Sequence, residues 1–330
     1  MRLFYVSSGK TTLSHLSPNI IGAFKQLARK ERQFHFDSLM LKDGKQSLAR
    51  KLVQFRPNVI LVFGHDTHSP QLIHQLRAAK VPIGLWVVND PYNLTNYEQK
   101  VRFYDFVVTQ EASCVSFYEQ RNKPCIHLAL ATNPANYYPA EVPRKYVSDI
   151  CFIGNAWPGR IKFFNRLAPF LLQRHFVIVG KWWEGLAQFK KMHAHIVSRT
   201  IPPQEVLKYY NGAKIVLNIH RDANDIDKNP YNIPAHTPNN RTFDIAACRA
   251  FQLSTAREDF AQFYEIGREM VCYHHVKDLQ QKIGYYLQHG NERRRIAQRA
   301  YRRTLSDHTY VARLQQLLRS LEVKVLPLSR

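Results

Sequence analysis

The side chains best suited to hold an anionic ligand lie in one stretch, Asn239-Asn240-Arg241-Thr242-Phe243-Asp244-Ile245-Ala246-Ala247-Cys248-Arg249-Ala250-Phe251-Gln252-Leu253. It reads as a loop, a helix and a following strand. A helix N-terminus presents unpaired backbone N–H groups and the positive end of the helix dipole, so Asn239 to Thr242 can hold a diphosphate, and Arg241 adds a fixed charge with a bidentate fork. Asp244 falls one turn inside, where a carboxylate can accept hydrogen bonds from both hydroxyls of a ribose. Ala246, Ala247 and Ala250 are small enough to let the helix lie close on a sheet. The same residue types at a helix start also serve as plain capping and surface charge.

His220 and Arg221 follow the apolar run Ile215 to Ile219. They stand at a strand's carboxyl edge, where open α/β sheets place ligands, and ligand contact and loop structure both fit them. Asp222 to Pro238 is long, polar and proline-bearing, the composition of a mobile loop. Ser8-Gly9-Lys10-Thr11 has the look of a phosphate loop, but that motif's first glycine would fall at Phe4, which argues against a nucleotide triphosphatase. The pairs His65/His68, His193/His195 and His274/His275 have no carboxylate or Cys at zinc spacing, so no metal site is expected. Neither half has a G-x-G-x-x-G after its first strand, which counts against a dinucleotide-dependent oxidoreductase.

The elements that must position these groups alternate between short β-branched or aromatic runs and helical patterns, the signature of parallel sheets covered on both faces. In the first half the strands read as Leu3 to Ser7, Asn58 to Gly64, Ile83 to Val88, Phe106 to Thr109 and Ile126 to Leu130. Pro134, Pro139 and Pro143 then crowd ten residues, the composition of an interdomain linker. The pattern restarts with Ile150 to Ile153 and continues through Phe176 to Val179, Ile196 to Arg199, Ile215 to Ile219, Phe251 to Ser254 and Met270 to Tyr273. Two helices, Glu292 to Leu305 and Tyr310 to Leu321, close the chain. The expected fold class is α/β, with two Rossmann-like domains of mostly parallel sheets. Residues 1–145 form the N-terminal one and 146–330 the C-terminal one, whose terminal helices pack back toward the first.

A chain of 330 residues, 45% hydrophobic and 22% charged, suits two cores of ordinary size. No apolar run reaches the roughly 18 to 20 residues that span a bilayer, and Met1 to Gly9 lacks a signal-peptide pattern, so a cytoplasmic protein is expected. Cys114, Cys125, Cys151, Cys248 and Cys272 are far apart and set in apolar segments, which reads as buried free thiols. The 47 Lys+Arg against 25 Asp+Glu give a net charge of +22, spread over both halves. That excess implies an anionic partner. The densest run is Arg293, Arg294, Arg295, Arg299, Arg302 and Arg303, which fits a solvated helix face as well as a surface for an anionic polymer or lipid.

The stretch around Asp244 resembles the hallmark segment of the glycosyltransferase-like family typified by the spore-maturation protein CgeB, itself similar to the C-terminal domains of group 1 glycosyltransferases. Further residues fit that family: Asp149 to Asn155 followed by Arg160, Ala213 to Arg221, Phe263 to Tyr273, Asp307 to Tyr310, and in the first half Phe63 to Asp66, Trp86 to Tyr92 and Ser113 to Tyr118. The resemblance spans nearly the whole chain and implies the GT-B arrangement, two Rossmann-like domains facing across a cleft. It also implies an enzyme that takes a sugar from a nucleotide diphosphate sugar, a UDP-sugar first among them. The lack of an Asp-x-Asp element directly after a strand argues against the single-domain, metal-dependent class of glycosyltransferase, so no obligatory cofactor is expected.

By that resemblance the donor site comprises Gly154, Asn155, Arg160, His220, Arg221, Asn240, Arg241, Thr242 and Asp244, with Asp244 in the place of a ribose-binding Glu. Group 1 enzymes often carry a Glu-x7-Glu pattern; eight places before Asp244 stands His236, and the family's usual Gly after Ala-Cys is Arg249. On the acceptor side the carboxyl-edge rule points to Ser7 to Lys10, Gly64 to Asp66 and Asn89 to Tyr92. An inverting transfer needs a general base there, for which Asp90, His65 and Asp66 are available, with Asp90 preferred. Asp-Pro also initiates turns, and a core histidine fits position 65 equally. The charge suggests an anionic acceptor: a glycan or teichoic-type polymer, a protein, nucleic acid such as modified DNA, or a membrane-associated carrier. A non-catalytic or coat-associated protein that keeps the fold and binds an anionic polymer is the alternative reading.

Overall fold

The computed structural model describes residues 1–8, 16–41, 47–64, 69–222, 225 and 229–326. The chain divides into two compact units. One comprises Met1–Leu130, Ile226–Ala235 and Tyr310–Arg330; the other comprises Ala131–Asp225 and His236–Thr309.

The first unit alternates β1 (Arg2–Ser7), α1 (Leu16–Lys30), β2 (His35–Met40), α2 (Ser47–Phe55), β3 (Val59–Phe63), α3 (Pro70–Arg77), β4 (Ile83–Val87), α4 (Leu94–Val101), β5 (Phe106–Thr109), α5 (Val115–Glu119) and β6 (Cys125–His127). Its six strands are parallel, in the order β2-β1-β3-β4-β5-β6. Every residue of β3 and β4 is buried, as strands covered by helices on both faces must be. β2 and α4 have no counterpart in the sequence reading. β2 is an edge strand with a single fully buried residue, Leu39, so it carries no continuous apolar run. α4 buries Leu94, Tyr97 and Val101, a stripe at i, i+3 and i+7 that its eight residues carry for only two turns.

The second unit runs β7 (Ser148–Ile153), α6 (Pro158–Leu171), β8 (Phe176–Val179), α7 (Phe189–Met192), β9 (Ile196–Val197), α8 (Pro203–Gly212), β10 (Ala213–Asn218), α9 (Asn240–Ala247), β11 (Gln252–Thr255), α10 (Phe260–Phe263), β12 (Val271–Tyr273), α11 (Val276–Gln288) and α12 (Gly290–Asp307). The parallel order β12-β11-β10-β7-β8-β9 is the doubly wound pattern whose direction reverses between β7 and β10. Its core gathers Ile150, Phe152, Phe164, Phe176, Trp183 and Leu217.

Two details depart from the expected organisation. The proline-crowded stretch is not a free linker but part of the second unit. Tyr137 is buried there, 6.4 Å from the Tyr210 ring, and Asn211 binds both the Ala140 amide (2.8 Å) and the Tyr138 carbonyl (3.0 Å). The division therefore falls at 130/131 rather than 145/146. The terminal helices also part company. α12 stays with the second unit against α9, while α13 (Tyr310–Lys324) belongs to the first and packs on α1. There Gln315 donates to Glu31 at 3.3 Å and Lys324 to the Cys125 carbonyl at 3.2 Å. All five cysteines are free, and all but Cys272 are buried. Among the described residues no helix is long and apolar enough to cross a membrane.

Candidate functional site

At the switch point β7 runs out into Gly154 and Asn155. The Gly154 N–H donates to the Val179 carbonyl (2.8 Å), and its own carbonyl accepts from the Trp183 indole (3.1 Å). A Cβ on Gly180, whose φ is +147°, would stand 2.1 Å from the Gly154 oxygen, so the ends of β7 and β8 meet backbone to backbone. Arg160, in the first turn of α6, folds back over this loop. Its Nη1 donates to the Asn155 carbonyl (3.0 Å) and its Nη2 to the Ile219 carbonyl beyond β10 (2.8 Å). One guanidinium thus ties the loops after β7 and β10 together, at 3% exposure. The Asn155 side chain accepts from the Lys181 amide (3.1 Å). At the start of α6, Asp225 accepts from the Gly159 amide (2.5 Å), placing an acid at a helix end that favours negative charge.

His220 is buried, edge-on to Phe260 at 5.8 Å. Its Nε2 accepts from the Asn239 amide (3.2 Å), which places the ring proton on Nδ1, and Nδ1 has no hydrogen-bond partner among the described residues. Burial and the nearby guanidiniums of Arg257, Arg241 and Arg160 hold the His220 pKa well below its ordinary value. Burial and the three fixed positive charges alike favour the uncharged imidazole. Arg221 lays its guanidinium 4.2 Å over the Trp157 ring, and its carbonyl accepts from Arg257 Nη2 (2.8 Å).

α9 is anchored by amides. Asn239 caps it by accepting from the Thr242 amide (3.1 Å) and donates to Asn218 (3.0 Å), which in turn donates to the Thr242 hydroxyl (2.9 Å) and to Gln252 (3.2 Å). The amide and hydroxyl of Thr242 are therefore both engaged inside the chain. The first-turn amides of Asn240 and Arg241 have no acceptor within the helix itself. Asp244 is buried and accepts from Asn240 Nδ2 at 3.0 Å. Burial pushes its pKa up to about 7, against the opposing pull of hydrogen bonds from Thr132 and Asn240 and of the Arg241 charge. His236 pairs through Nδ1 with the exposed Glu258 carboxylate (3.3 Å).

The switch point thus collects the candidates Gly154, Asn155, Arg160 and His220, with Arg241 near His220 and with Arg221 bonded to Arg257, a residue outside the sequence candidates. Arg257 was missed although the signal was present, since it stands two residues past β11 at the same carboxyl edge. Asn218 and Thr132 were missed because an isolated amide or hydroxyl carries no pattern.

In the first unit the preferred base, Asp90, is fully buried. Its carboxylate accepts from the Thr109 hydroxyl (2.6 Å) and the Tyr118 hydroxyl (2.9 Å), and its carbonyl from Gln110 (2.9 Å). The Asp90–Pro91 peptide is cis. Burial raises the Asp90 pKa to about 7, the two hydroxyls opposing it. In this conformation the carboxylate braces the loop after β4 and has no exposed oxygen. His65 and Asp66 lie outside the described residues, as do Gly9 and Lys10. Part of the Asp222–Pro238 segment also does, but its residue Tyr231 belongs to the first unit, donating to Glu98 (2.5 Å) beside the Phe117 ring (4.9 Å).

A family model described as glycosyl transferase-like matches residues 151–319, just over half of the chain. The spore protein CgeB of Bacillus subtilis (strain 168) is 26% identical over 320 residues, covering 94% of this chain and 95% of that protein. Among solved structures, Alr3699/HepE of Anabaena in complex with UDP and glucose superposes with a TM-score of 0.65 at 11% identity, covering 98% of this chain and 99% of that one. Sucrose-phosphate synthase from Thermosynechococcus elongatus gives 0.63 at 11% identity, covering 98% and 100%. These likenesses show the fold, the two parallel-sheet α/β domains of the GT-B type.

Proposed function

The chain belongs to the glycosyl transferase-like family, and we propose that it moves a sugar from a nucleoside diphosphate held by the second unit to an anionic acceptor. The observation that carries this reading is the gathering of guanidiniums where β7 and β10 end: Arg160 on the Ile219 carbonyl and Arg257 on the Arg221 carbonyl, on either side of His220 in the chain, with the Arg241 charge close enough to act on its ring. In the transfer the bond from the anomeric carbon to the diphosphate oxygen breaks as the acceptor oxygen bonds to that carbon, and negative charge grows on the departing diphosphate. The three guanidiniums, with the α9 amides of Asn240 and Arg241, hold that charge in fixed positions, and such preorganised charge is the strongest source of rate in sites of this kind. The His220 Nδ1–H is one more neutral donor for a phosphate oxygen. Asp244 takes the ribose hydroxyls. UDP in the Anabaena structure of the same fold makes a UDP-sugar the first donor to test.

The acceptor's proton needs a base. Asp90 is enclosed by Thr109 and Tyr118, which favours His65 and Asp66 among the candidates. The net charge of +22 supports an acceptor that carries negative charge.

The test is a thermal-shift and donor-hydrolysis panel of UDP-, GDP-, CMP- and dTDP-sugars on the wild type and on Asp244→Ala. Binding to the native state must raise the melting temperature. One nucleotide is expected to stabilise the wild type and to lose its effect in the variant. No response to any nucleotide at millimolar concentration would overturn the donor site.

A further inference from the structure

The second unit has a cavity of about 720 Å³ remote from the switch point. It lies where the Pro139–Glu141 loop, the start of β10, the C-terminal end of α9 and the first turns of α12 converge. Lys214, Arg249, Arg293 and Arg294 line it, and Glu141 is the one acid in its wall. Lys214 is paired with Asp149 (2.7 Å). Among the described residues none of the three arginines has a carboxylate within ion-pair distance, although the Asp149 charge acts on Arg293 from further away. Arg293 is nine-tenths buried and donates to the Tyr286 carbonyl; Arg294 donates to Asn291 (2.5 Å).

Arg249 is the most informative of them. α9 ends in a turn in which the Ala250 amide donates to the Ile245 carbonyl (3.2 Å) and the Arg249 amide to Ala246 (2.9 Å). That 6→1 closure puts Arg249 in the left-handed region, with φ +54°. Glycine is the residue that takes this position without steric cost. An arginine accepts the strain and delivers a guanidinium to the cavity wall. α9 spans about 12 Å from Asn240 to Ala247 at 1.5 Å per residue, which sets this cavity at the opposite end of the helix from the donor site.

We propose that the cavity is a second anion site, which takes a phosphate-bearing ligand through Arg249, Arg293 and Arg294. Guanidinium forks match the paired oxygens of a phosphate, and three of them against the single wall carboxylate of Glu141 suit a ligand of more than one negative charge. Binding there is independent of the donor site, although both sites share α9.

The test measures melting temperature in chloride and with inorganic phosphate, pyrophosphate or a short single-stranded oligonucleotide at matched ionic strength. The proteins are wild type, Arg249→Gly, Arg294→Gln and Arg241→Gln. The phosphate-bearing probes are expected to raise the wild-type melting temperature by several degrees. Arg249→Gly and Arg294→Gln should each lose a part of that rise that Arg241→Gln retains, while keeping the UDP response that Arg241→Gln weakens. In chloride Arg249→Gly should melt at or above the wild type, because glycine relieves the left-handed strain. A larger rise with the oligonucleotide identifies the phosphodiesters of a polymer as the ligand; a larger rise with phosphate or pyrophosphate identifies a free small anion. Equal rises in Arg249→Gly and wild type, no rise with any probe, or an Arg249→Gly that melts lower in chloride would overturn the site, the last by showing that the charge serves only the helix end.

Discussion

Arg160 and Gly154 are fitted to each other: a Cβ on Gly154 would stand 3.0 Å from Arg160 Nη1, the nitrogen that donates to the next carbonyl, Asn155, at 3.0 Å. The guanidinium lies across the strand end because no side chain is there. The same Cβ would come within 2.9 Å of the Phe152 ring, which is held in the core by Phe164 and Trp183 at 5.1 and 5.7 Å. Gly154→Ala should therefore cost about 1–3 kcal/mol, as overpacking does, and weaken donor binding at least tenfold by shifting Arg160. Urea unfolding and a donor titration read the two effects; a variant normal in both would disprove the fit.

Arg160→Lys keeps the charge and loses the fork. An ammonium cannot reach the Asn155 and Ile219 carbonyls in the fixed planar geometry of a guanidinium, so one buried acceptor loses its partner. The expected loss is about 1–3 kcal/mol of stability, with a higher KM for the donor. Comparing the unfolding midpoint and the KM of the variant with those of Arg160→Gln separates the clamp from the charge.

Nucleotide-sugar affinity should depend on the ionisation of Asp244. The form that accepts from both ribose hydroxyls is the carboxylate, and its pKa lies near 7 in the free protein. Below pH 7 a proton must be expelled on binding, so affinity should fall about tenfold per pH unit. Dissociation constants for a UDP-sugar between pH 5.5 and 8 should show this fall in the wild type and a flat profile in Asp244→Asn; a flat wild-type profile would rule it out.

Asp90 should make the first unit less stable at high pH. Its folded pKa of about 7 lies above the ordinary carboxyl value of 3.8, so between those values the folded chain binds more protons than the unfolded one. The contribution is complete below pH 4 and is lost as pH rises toward 7, to a limit of roughly 4 kcal/mol. Asp244 is shifted in the same direction, so the measurement is a difference: urea unfolding of wild type and Asp90→Asn at pH 5 and pH 8. The variant should gain on the wild type between the two, and an unchanged gap would contradict the burial cause.

The sequence by itself determined the α/β class and most of the strands, because continuous runs such as Val59–Phe63 and Ile150–Ile153 state their burial locally. It also pointed to the carboxyl edges and to the α9 segment, where the donor-site candidates Arg241 and Asp244 stand one turn apart. Only the tertiary structure decided what depends on residues distant in the chain meeting. The Arg160 clamp joins carbonyls 64 residues apart, at Asn155 and Ile219. Asp90 is closed off by Thr109 and Tyr118 from other elements, so an edge position that reads as accessible is buried. α13 leaves the unit that precedes it to cover α1, which no local pattern announces. Periodicity records which face of an element is buried, and the identity of the partner that buries it is a property of the whole fold.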